Sequence, residues 1–401
     1  MGRLKTRNRW VALTIIFLSF VQFPLNWFTI IPAFTPISET MHIGLPQIGL
    51  LVSAFIAGYG IAHIPAGLIA EAVGFKKALL IGVAVETIGA VLSAIAHDYS
   101  ILLISRLLCG IGGSIFIGSA IGLTTAWFRD HDLVTATGLV TGVAYAVGAA
   151  IGLFAWTALL QLVGWRMSLL AGAAVGGLTF ICLIFLFPEP PVSEADDTSG
   201  SHLDTAAMKR VFGDVNLWLL GIAFLGGYGA YFVTAQLLPN YAQHALGLSS
   251  SKAEFIGTIT LVAAVPGSLL GGWLADRVFG AMPVFFGACI IEGITIFCIP
   301  YLGTQGVEVA AGIIGAIFIL GFVAWVSTPG LYRKRIHLSD VPTAAGMLLT
   351  FAAVGGVGAP VIYTQIVGRF GYEAGWHFAG IICIVTSLAC LGAKRPHKQV
   401  Y

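Results

Sequence analysis

The sequence predicts an all-α integral membrane protein with twelve transmembrane helices, arranged as two six-helix bundles related by pseudo-symmetry. Three observations predict this fold class: the apolar composition, the long apolar runs, and short motifs that occur once in each half of the chain. Of the 401 residues, 58% are hydrophobic and 9% are charged, whereas a soluble domain carries about 25% charged residues. The expected solvent of this chain is therefore a lipid bilayer.

Twelve runs are long and apolar enough to cross a bilayer, which takes about 18 or more apolar residues. They are continuously apolar rather than alternating, which favours helices over a β-barrel. The first run follows several basic residues but is too long for a signal peptide, so we expect it to be retained. The predicted spans are 10–33, 46–69, 77–96, 100–127, 134–162, 165–188, 214–240, 251–274, 281–301, 306–330, 341–367 and 373–392.

The basic residues fall mostly on one side of the predicted spans. If both termini share a side, the opposite side receives only Arg166, Lys252 and Arg369, and Arg106 lies inside a span. Cytoplasmic loops carry an excess of Lys and Arg in membrane proteins. We therefore expect a multi-pass protein of the inner cell membrane with both termini in the cytoplasm.

Short motifs recur across the chain at a displacement near two hundred residues. GLIAEAVGFKK at 67–77 returns, degraded, as GWLADRVFG at 272–280. In the same order, TATGL at 135–139 pairs with TAAGM at 343–347, GAAIG at 148–152 with GVGAP at 356–360, and GW at 164–165 with GW at 375–376. Such repeats are typical of secondary transporters. We expect bundles at 1–188 and 214–401, joined by a partly flexible cytoplasmic linker at 189–213 that begins in a Pro-rich, acidic stretch.

Three motifs resemble those of the major facilitator superfamily, and the similarity covers essentially the whole chain. The segment 67–77 resembles the family signature between spans 2 and 3, with Glu71 where Asp is usual. RLLCGIGG at 106–113 resembles the R-x-x-x-G-x-G element of span 4. Gly138, Gly142, Gly148 and Gly152 fall where the antiporter motif lies, but Ala149 stands where that motif has Pro. The resemblance implies a carrier that works by alternating access, not an enzyme.

The two copies of the short motif are candidate gating loops. The resemblance implies that acidic and basic groups at these helix ends form a latch, since acids are favoured near helix N-termini. The alternative is an ordinary solvated turn, whose surface ion pairs contribute little. The residues concerned are Gly67, Glu71, Gly74, Lys76 and Lys77 in the first copy, and Gly272, Asp276 and Arg277 in the second.

Ionisable residues inside the spans are the next candidates, because buried charge is costly and usually functional. Arg106 is interpreted as a contact for a substrate anion or a member of a proton relay, with a structural tie to backbone carbonyls or to an acid as the alternative. Glu86 and Glu292 lie near mid-membrane in spans 3 and 9. Burial favours the protonated form of a carboxyl group, so either glutamate could carry a proton; a hydrogen bond between helices is the alternative. His63 could titrate near neutral pH, or be a hydrogen-bonded core residue.

Neutral polar and aromatic side chains near the midplane are candidates for lining the substrate site, although each taken alone fits packing or an interfacial belt equally well. We expect substrate contacts, together with Arg106, from Gln22, Asn26, Tyr59, Tyr145, Tyr228, Gln236, Trp325, Tyr363 and Gln365.

These features predict a secondary transporter that couples a proton to symport of a small organic anion. The region 122–152 is similar to branches that carry small anions, but spans 2 and 8 lack the arginines expected of nitrate carriers. Alternatives are a proton-coupled drug efflux antiporter and a non-transporting membrane sensor. No P-loop, nucleophile–base pair or metal-ligand cluster is legible. We expect a monomer in the lipid bilayer that binds a small-molecule substrate and H⁺, without a cofactor, metal or nucleic acid.

Overall fold

The computed structural model describes residues 2–188 and 205–396, and within them it is helical, without strands. Its long helices are α1 (Gly2–Phe28), α2 (Leu45–Val73), α3 (Phe75–Ile95), α4 (Tyr99–Phe128), α5 (133–163), α6 (165–186), α7 (Val215–His244), α8 (Ser251–Val278), α9 (Ala281–Cys298), α10 (Thr304–Val326), α11 (341–370) and α12 (372–387). Shorter helices are Phe34–Met41, Thr205–Gly213 and Thr328–Leu331, and Leu388–Gly392 is a 3₁₀ turn.

The helix count agrees with the sequence. By length and composition, ten helical stretches of the described chain could cross a membrane. The two longest, Leu133–Leu186 and Val341–Gly392, each contain a glycine with non-helical backbone angles, so each folds as two helices. The all-α class with twelve transmembrane helices is therefore confirmed.

The glycine breaks repeat along the chain. Gly164 (φ 78°, ψ 167°) separates α5 from α6, and Gly371 (φ 85°, ψ 173°) separates α11 from α12. Positive φ of this kind is accessible to glycine at little cost. The pairing of Gly164 with Gly375 was therefore wrong: the two Gly-Trp dipeptides match in letters, but the backbone equivalent of Gly164 is Gly371.

The candidate gating segments are helical rather than loops, which corrects their description. Gly67 and Glu71 lie within α2, and only Gly74 (φ 85°) breaks the chain before α3. Asp276 lies in the last turn of α8, and Gly280 (φ 85°) makes the corresponding break before α9. Leu, Ile, Ala and Glu favour helix up to the glycine, so each segment holds its acid on a rigid helix end.

Contacts divide the chain into two compact units. Unit 1 comprises the described parts of Met1–Arg129, Ala144–Met208 and His337–Gly346; unit 2 comprises those of Asp130–Val143, Lys209–Ile336 and Met347–Tyr401. Each unit thus includes a stretch from the opposite half of the sequence, and the predicted boundaries 1–188 and 214–401 remain a prediction. Of the predicted linker, 189–204 lies outside the described residues, and Thr205–Gly213 is a helix.

In unit 1, α4 packs along both α2 and α3, and α1 packs against α4, α5 and α6. The side chain of Asp98 accepts a hydrogen bond from the Ile101 amide (3.0 Å) at the start of α4, which satisfies a donor that a helix N-terminus leaves open. In unit 2, α10 packs against α8 and α9, and Asp214 caps α7 through the Asn216 amide (2.8 Å). Each unit thus has a long helix with a side-chain cap at its N-terminus, α4 in unit 1 and α7 in unit 2.

Candidate functional site

A chain of buried polar side chains crosses unit 1. Gln22 Nε2 donates to Glu86 Oε2 (2.7 Å), and Gln22 Oε1 accepts from Asn26 Nδ2 (3.0 Å). Glu86 is 0% exposed, Gln22 1% and Asn26 2%. The structure thus brings two predicted substrate contacts and one predicted proton carrier into one hydrogen-bonded chain.

Arg106 lies beside this chain, on α4. Its Nη1 donates to the Asn26 carbonyl (3.3 Å) and its Nη2 to the Trp27 carbonyl (3.1 Å). These carbonyls belong to the last turn of α1, where a helix leaves acceptors without internal partners. The guanidinium carbon lies 5.0 Å from the centre of the Phe55 ring, a cation–π distance. The contacts are those of the structural tie, while a role in anion binding stays a prediction.

The charge of Arg106 is not neutralised by an ion pair. Among the described residues no acid lies within 4.0 Å of its nitrogens, and its buried Nε has no hydrogen-bond partner. Glu86 is the acid whose charge acts on Arg106. Arg106 and Glu86 are thus a buried cation and a buried acid of unit 1 that interact without touching.

The glycines of the span-4 motif explain this proximity. A Cβ at Gly112 would collide with the backbone of Glu86 on α3, and a Cβ at Gly110 would collide with the backbone of Phe55 on α2. Small residues let helix backbones approach closely in membranes. The motif thus points its two glycines at different helices and places Arg106, one turn earlier, between them.

Aromatic candidates surround the same corner. The ring centroid of Tyr59 lies 4.3 Å from that of His63 and 5.7 Å from that of Trp27. Tyr145 contacts Trp27 edge-on, with 6.3 Å between the ring centroids. His63 is 2% exposed, its Nδ1 pairs with Ser114 Oγ (2.8 Å), and its buried Nε2 has no partner among the described residues. The sequence thus identified side chains that lie together, but His63 shares no hydrogen bond with the Glu86 chain.

Glu292 in unit 2 has different surroundings. It is 1% exposed, and its buried carboxyl Oε1 has no hydrogen-bond partner among the described residues. The next residue, Gly293, approaches α12 so closely that a Cβ there would lie 2.9 Å from the Gly380 carbonyl oxygen. On the same pair of helices, Cys383 Sγ donates to the Cys289 carbonyl (3.2 Å). The glutamate is thus packed at a helix–helix contact without a polar network.

The remaining candidates in unit 2 do not converge on Glu292 through hydrogen bonds. Trp325 is fully buried and donates to a backbone carbonyl of α7 (2.8 Å). Tyr363 is 2% exposed, and its hydroxyl has no partner among the described residues. Tyr228 is half-buried, and Gln236 and Gln365 are exposed. Their predicted substrate contacts stay predictions.

The second gating segment makes a helix cap in unit 2. The Asp276 carboxylate accepts from the Val134 amide (3.1 Å) and the Thr135 amide (2.7 Å) at the start of α5. Arg277 pairs with Asp132 (2.5 Å) just before that helix. A carboxylate at a helix N-terminus is stabilised by open N–H groups and the helix dipole.

The first segment faces the corresponding place in unit 1. A Cβ at Gly67 would collide with the backbone of Thr343, near the start of α11, as one at Gly272 would collide with Thr135. The repeat of TATGL by TAAGM therefore marks equivalent contacts. Lys76 donates to the Phe187 carbonyl (3.2 Å), and Lys77 is exposed.

Two residues near Glu86 escaped the sequence analysis. Thr87 Oγ1 is buried without a partner in the described chain, and Gly176 of α6 faces it and Gln22. A threonine beside the candidate acid could have been noticed, but no sequence pattern marks one glycine among 51. Within the residues described, no group of three or more His, Cys, Asp or Glu is placed to hold a metal ion.

Comparisons with known proteins agree with this architecture. A model described as Major Facilitator Superfamily matches residues 16–333 and 228–400. A probable sulfoacetate transporter, SauU, of Cupriavidus necator is 25% identical, with 97% of this chain and 94% of the relative covered. A D-galactonate transporter of Escherichia coli is 23% identical, with 96% and 94% covered.

A solved structure supports the fold alone, because its sequence is distant. The fucose:proton symporter FucP of E. coli superposes with a TM-score of 0.79 at 18% identity, over 96% of this chain and 98% of that one. Family model, relatives and fold agree over the chain's length, and the named relatives are transporters rather than enzymes. The chain belongs to the major facilitator superfamily and is an integral, multi-pass membrane transporter.

Proposed function

We propose that this protein is a proton-coupled symporter of a small organic anion. The observation that carries the proposal is the buried Arg106 beside the Glu86–Gln22–Asn26 chain. Relatives that are similar over almost the full chain are named for sulfoacetate and for D-galactonate, a sulfonate and a sugar acid. The distribution of Lys and Arg supports an inner-membrane protein with cytoplasmic termini. In this proposal the protein works as a monomer by alternating access.

Charge balance couples the two ligands. When Glu86 is ionised, its charge offsets that of Arg106 and the buried cluster is neutral. When Glu86 binds a proton, the cluster has a net positive charge, which an anion near Arg106 neutralises. Either ligand alone leaves buried charge uncompensated, which is costly in a membrane, and linkage makes the effect reciprocal. Proton and anion therefore bind together.

The donors needed for an anion are near Arg106. Its Nε has no partner among the described residues, and Gln22, Asn26, Tyr59 and Tyr145 supply neutral polar groups in the same region of unit 1. One cation with neutral donors suits a monovalent anion such as D-galactonate better than a dianion such as sulfoacetate, which carries both a carboxylate and a sulfonate. Glu71 and Asp276, with their basic neighbours, serve in this proposal as the latch that closes between transport steps.

The test is uptake into liposomes under an inward proton gradient, with labelled sulfoacetate, D-galactonate and neutral metabolites. Arg106→Gln is compared with Arg166→Gln. Arg166 is a matched control because it also donates to carbonyls at a helix end, those of Ala94 and Ala96, and lies 4.2 Å from the Trp165 ring. We expect anion uptake to fall about tenfold to hundredfold in the first variant and to persist in the second.

Three outcomes would overturn the proposal. Equal loss in both variants would make Arg106 a structural tie only. Proton-driven efflux of amphipathic compounds without anion uptake would favour a drug antiporter. Absence of flux for every solute in a folded preparation would favour the non-transporting sensor.

A further inference from the structure

Two glycines of α6 face the polar chain of unit 1. A Cβ at Gly172 would lie 2.7 Å from Asn26 Oδ1, and one at Gly176 would collide with Thr87 Oγ1 and lie 3.3 Å from Gln22 Oε1. These glycines are one helical turn apart, so they form one face of α6. The neighbouring Gly177 has no atom within 4 Å of its would-be Cβ. The missing side chain at Gly176 therefore leaves room for polar atoms that α1 and α3 contribute.

The hydrogen bonds fix which carboxyl oxygen accepts a proton. Gln22 accepts from Asn26 through its Oε1, so its Nε2 is the atom that donates to Glu86 Oε2. Glu86 Oε1 is buried and has no partner among the described residues, and the same holds for Thr87 Oγ1. Buried polar atoms without partners are uncommon and costly. The open oxygen of Glu86 is thus the one available to a proton, while the other is held by the amide.

We infer that Gly176 is a positioning residue, which acts through Gln22 and Thr87 to set the pH at which Glu86 takes up its proton. The inference rests on the proposed function for its role in transport, but the geometry of the carboxyl group is independent of any substrate. Gly176 does not touch the carboxyl oxygens in the structure. Its missing side chain leaves the space in which the Gln22 amide and the Thr87 hydroxyl lie.

Among the described residues, the titratable groups that act on this carboxyl group are Arg106 and Cys109, both on α4. Helix α1 contributes the amides of Gln22 and Asn26, and α6 contributes glycines. A methyl group at position 176 would collide with Thr87 Oγ1 and come within 3.3 Å of Gln22 Oε1, so we expect the Gln22 amide to shift by a few tenths of an ångström. This shift weakens the N–H donation to the carboxylate, and a weaker donor to the charged form favours protonation.

The experiment follows the carboxyl C=O band of Glu86 by infrared spectroscopy against pH, on protein in lipid, with Glu86→Gln subtracted to assign the band. We expect Gly176→Ala to raise the midpoint of ionisation by about one to two pH units. Gly177→Ala, one residue away, is the matched control and keeps the wild-type midpoint. Thr87→Ala combined with Gly176→Ala makes room for the methyl group and returns the midpoint towards wild type.

Equal midpoints for Gly176→Ala and Gly177→Ala would overturn the inference, as would a shift that Thr87→Ala fails to reverse. If Gly176→Ala does not fold, Gln22→Leu takes its place, and an unchanged midpoint there overturns the inference too. Transport separates the two proposals. A shifted band without a shifted pH profile of uptake leaves Gly176 as the positioning residue and removes Glu86 as the coupling group.

Discussion

Glu86 in unit 1 and Glu292 in unit 2 lie on α3 and α9, at corresponding places in the repeat, yet their surroundings differ. Glu86 has an amide donor at 2.7 Å and a buried arginine whose charge reaches it. Among the described residues Glu292 has neither, and its buried Oε1 has no hydrogen-bond partner. In our proposal, the partners contributed by α1 and α4, rather than helix packing alone, make a buried acid a proton site.

The close helix contacts of the two glutamates also differ. At Glu86, Gly112 brings α4 against the α3 backbone, so the arginine one and a half turns away lies near the carboxyl group. Beside Glu292, Gly293 and Gly380 bring α12 against α9, and α12 contributes no cation there. The same device, glycine-mediated contact, thus builds a charged cluster in one unit and a neutral contact in the other.

The largest expected difference between Glu86 and Glu292 is in the uptake of substrate driven by a proton gradient. Glu86→Gln mimics the protonated acid, so uptake should lose its response to the proton gradient and fall about tenfold or more, while exchange of substrate for substrate continues. Glu292→Gln should leave gradient-driven uptake near the wild-type level. Liposome uptake with and without the gradient measures both. Loss of coupling in Glu292→Gln, with Glu86→Gln unaffected, would reverse the comparison.

The second expected difference between Glu86 and Glu292 is their contribution to thermal stability. Glu86→Leu leaves the Gln22 amide and the Arg106 charge without their partner, and we expect a cost of about 2 kcal/mol, seen as a lower unfolding temperature. Glu292→Leu removes a buried carboxyl group whose Oε1 has no hydrogen-bond partner among the described residues, so the unfolding temperature should stay the same or rise. Thermal unfolding in the same detergent compares the two. Equal destabilisation would show that Glu292 has a polar partner of similar strength.

The smallest effect tests the helix contact beneath Glu86. Gly112→Ala forces α4 away from α3, at a cost of about 1 kcal/mol or more, and should lower anion uptake because Arg106 moves with its helix. Gly118→Ala, on the same helix, has no atom within 4 Å of its would-be Cβ and should be tolerated. Thermal unfolding and uptake are measured on both. A tolerated Gly112→Ala would show that the two helices are not held by this contact.

The sequence was sufficient for the features that depend on local pattern. Apolar run length located all twelve helices, and the glycine and acid motifs placed 67–77 and 272–280 at equivalent positions, as their contacts with Thr343 and Thr135 show. Alignment of the two Gly-Trp dipeptides paired the wrong glycines, because Gly371 rather than Gly375 has the positive φ that matches Gly164. The sequence also predicted loops at Glu71 and Asp276, which lie in the last turns of helices. A glycine that ends a helix shows where the helix stops, but not how many of the preceding residues are helical.

The sequence by itself determined that this chain is a membrane-embedded helical carrier of two related halves, because hydropathy, glycine placement and repeats are properties of the chain read in order. It also selected Glu86 and Arg106 as costly residues in an apolar environment. Only the tertiary structure decided that Gln22, Asn26, Glu86 and Gly176, from α1, α3 and α6, meet at one corner. Helix packing joins residues far apart in sequence, and no periodicity encodes which polar side chain finds a partner.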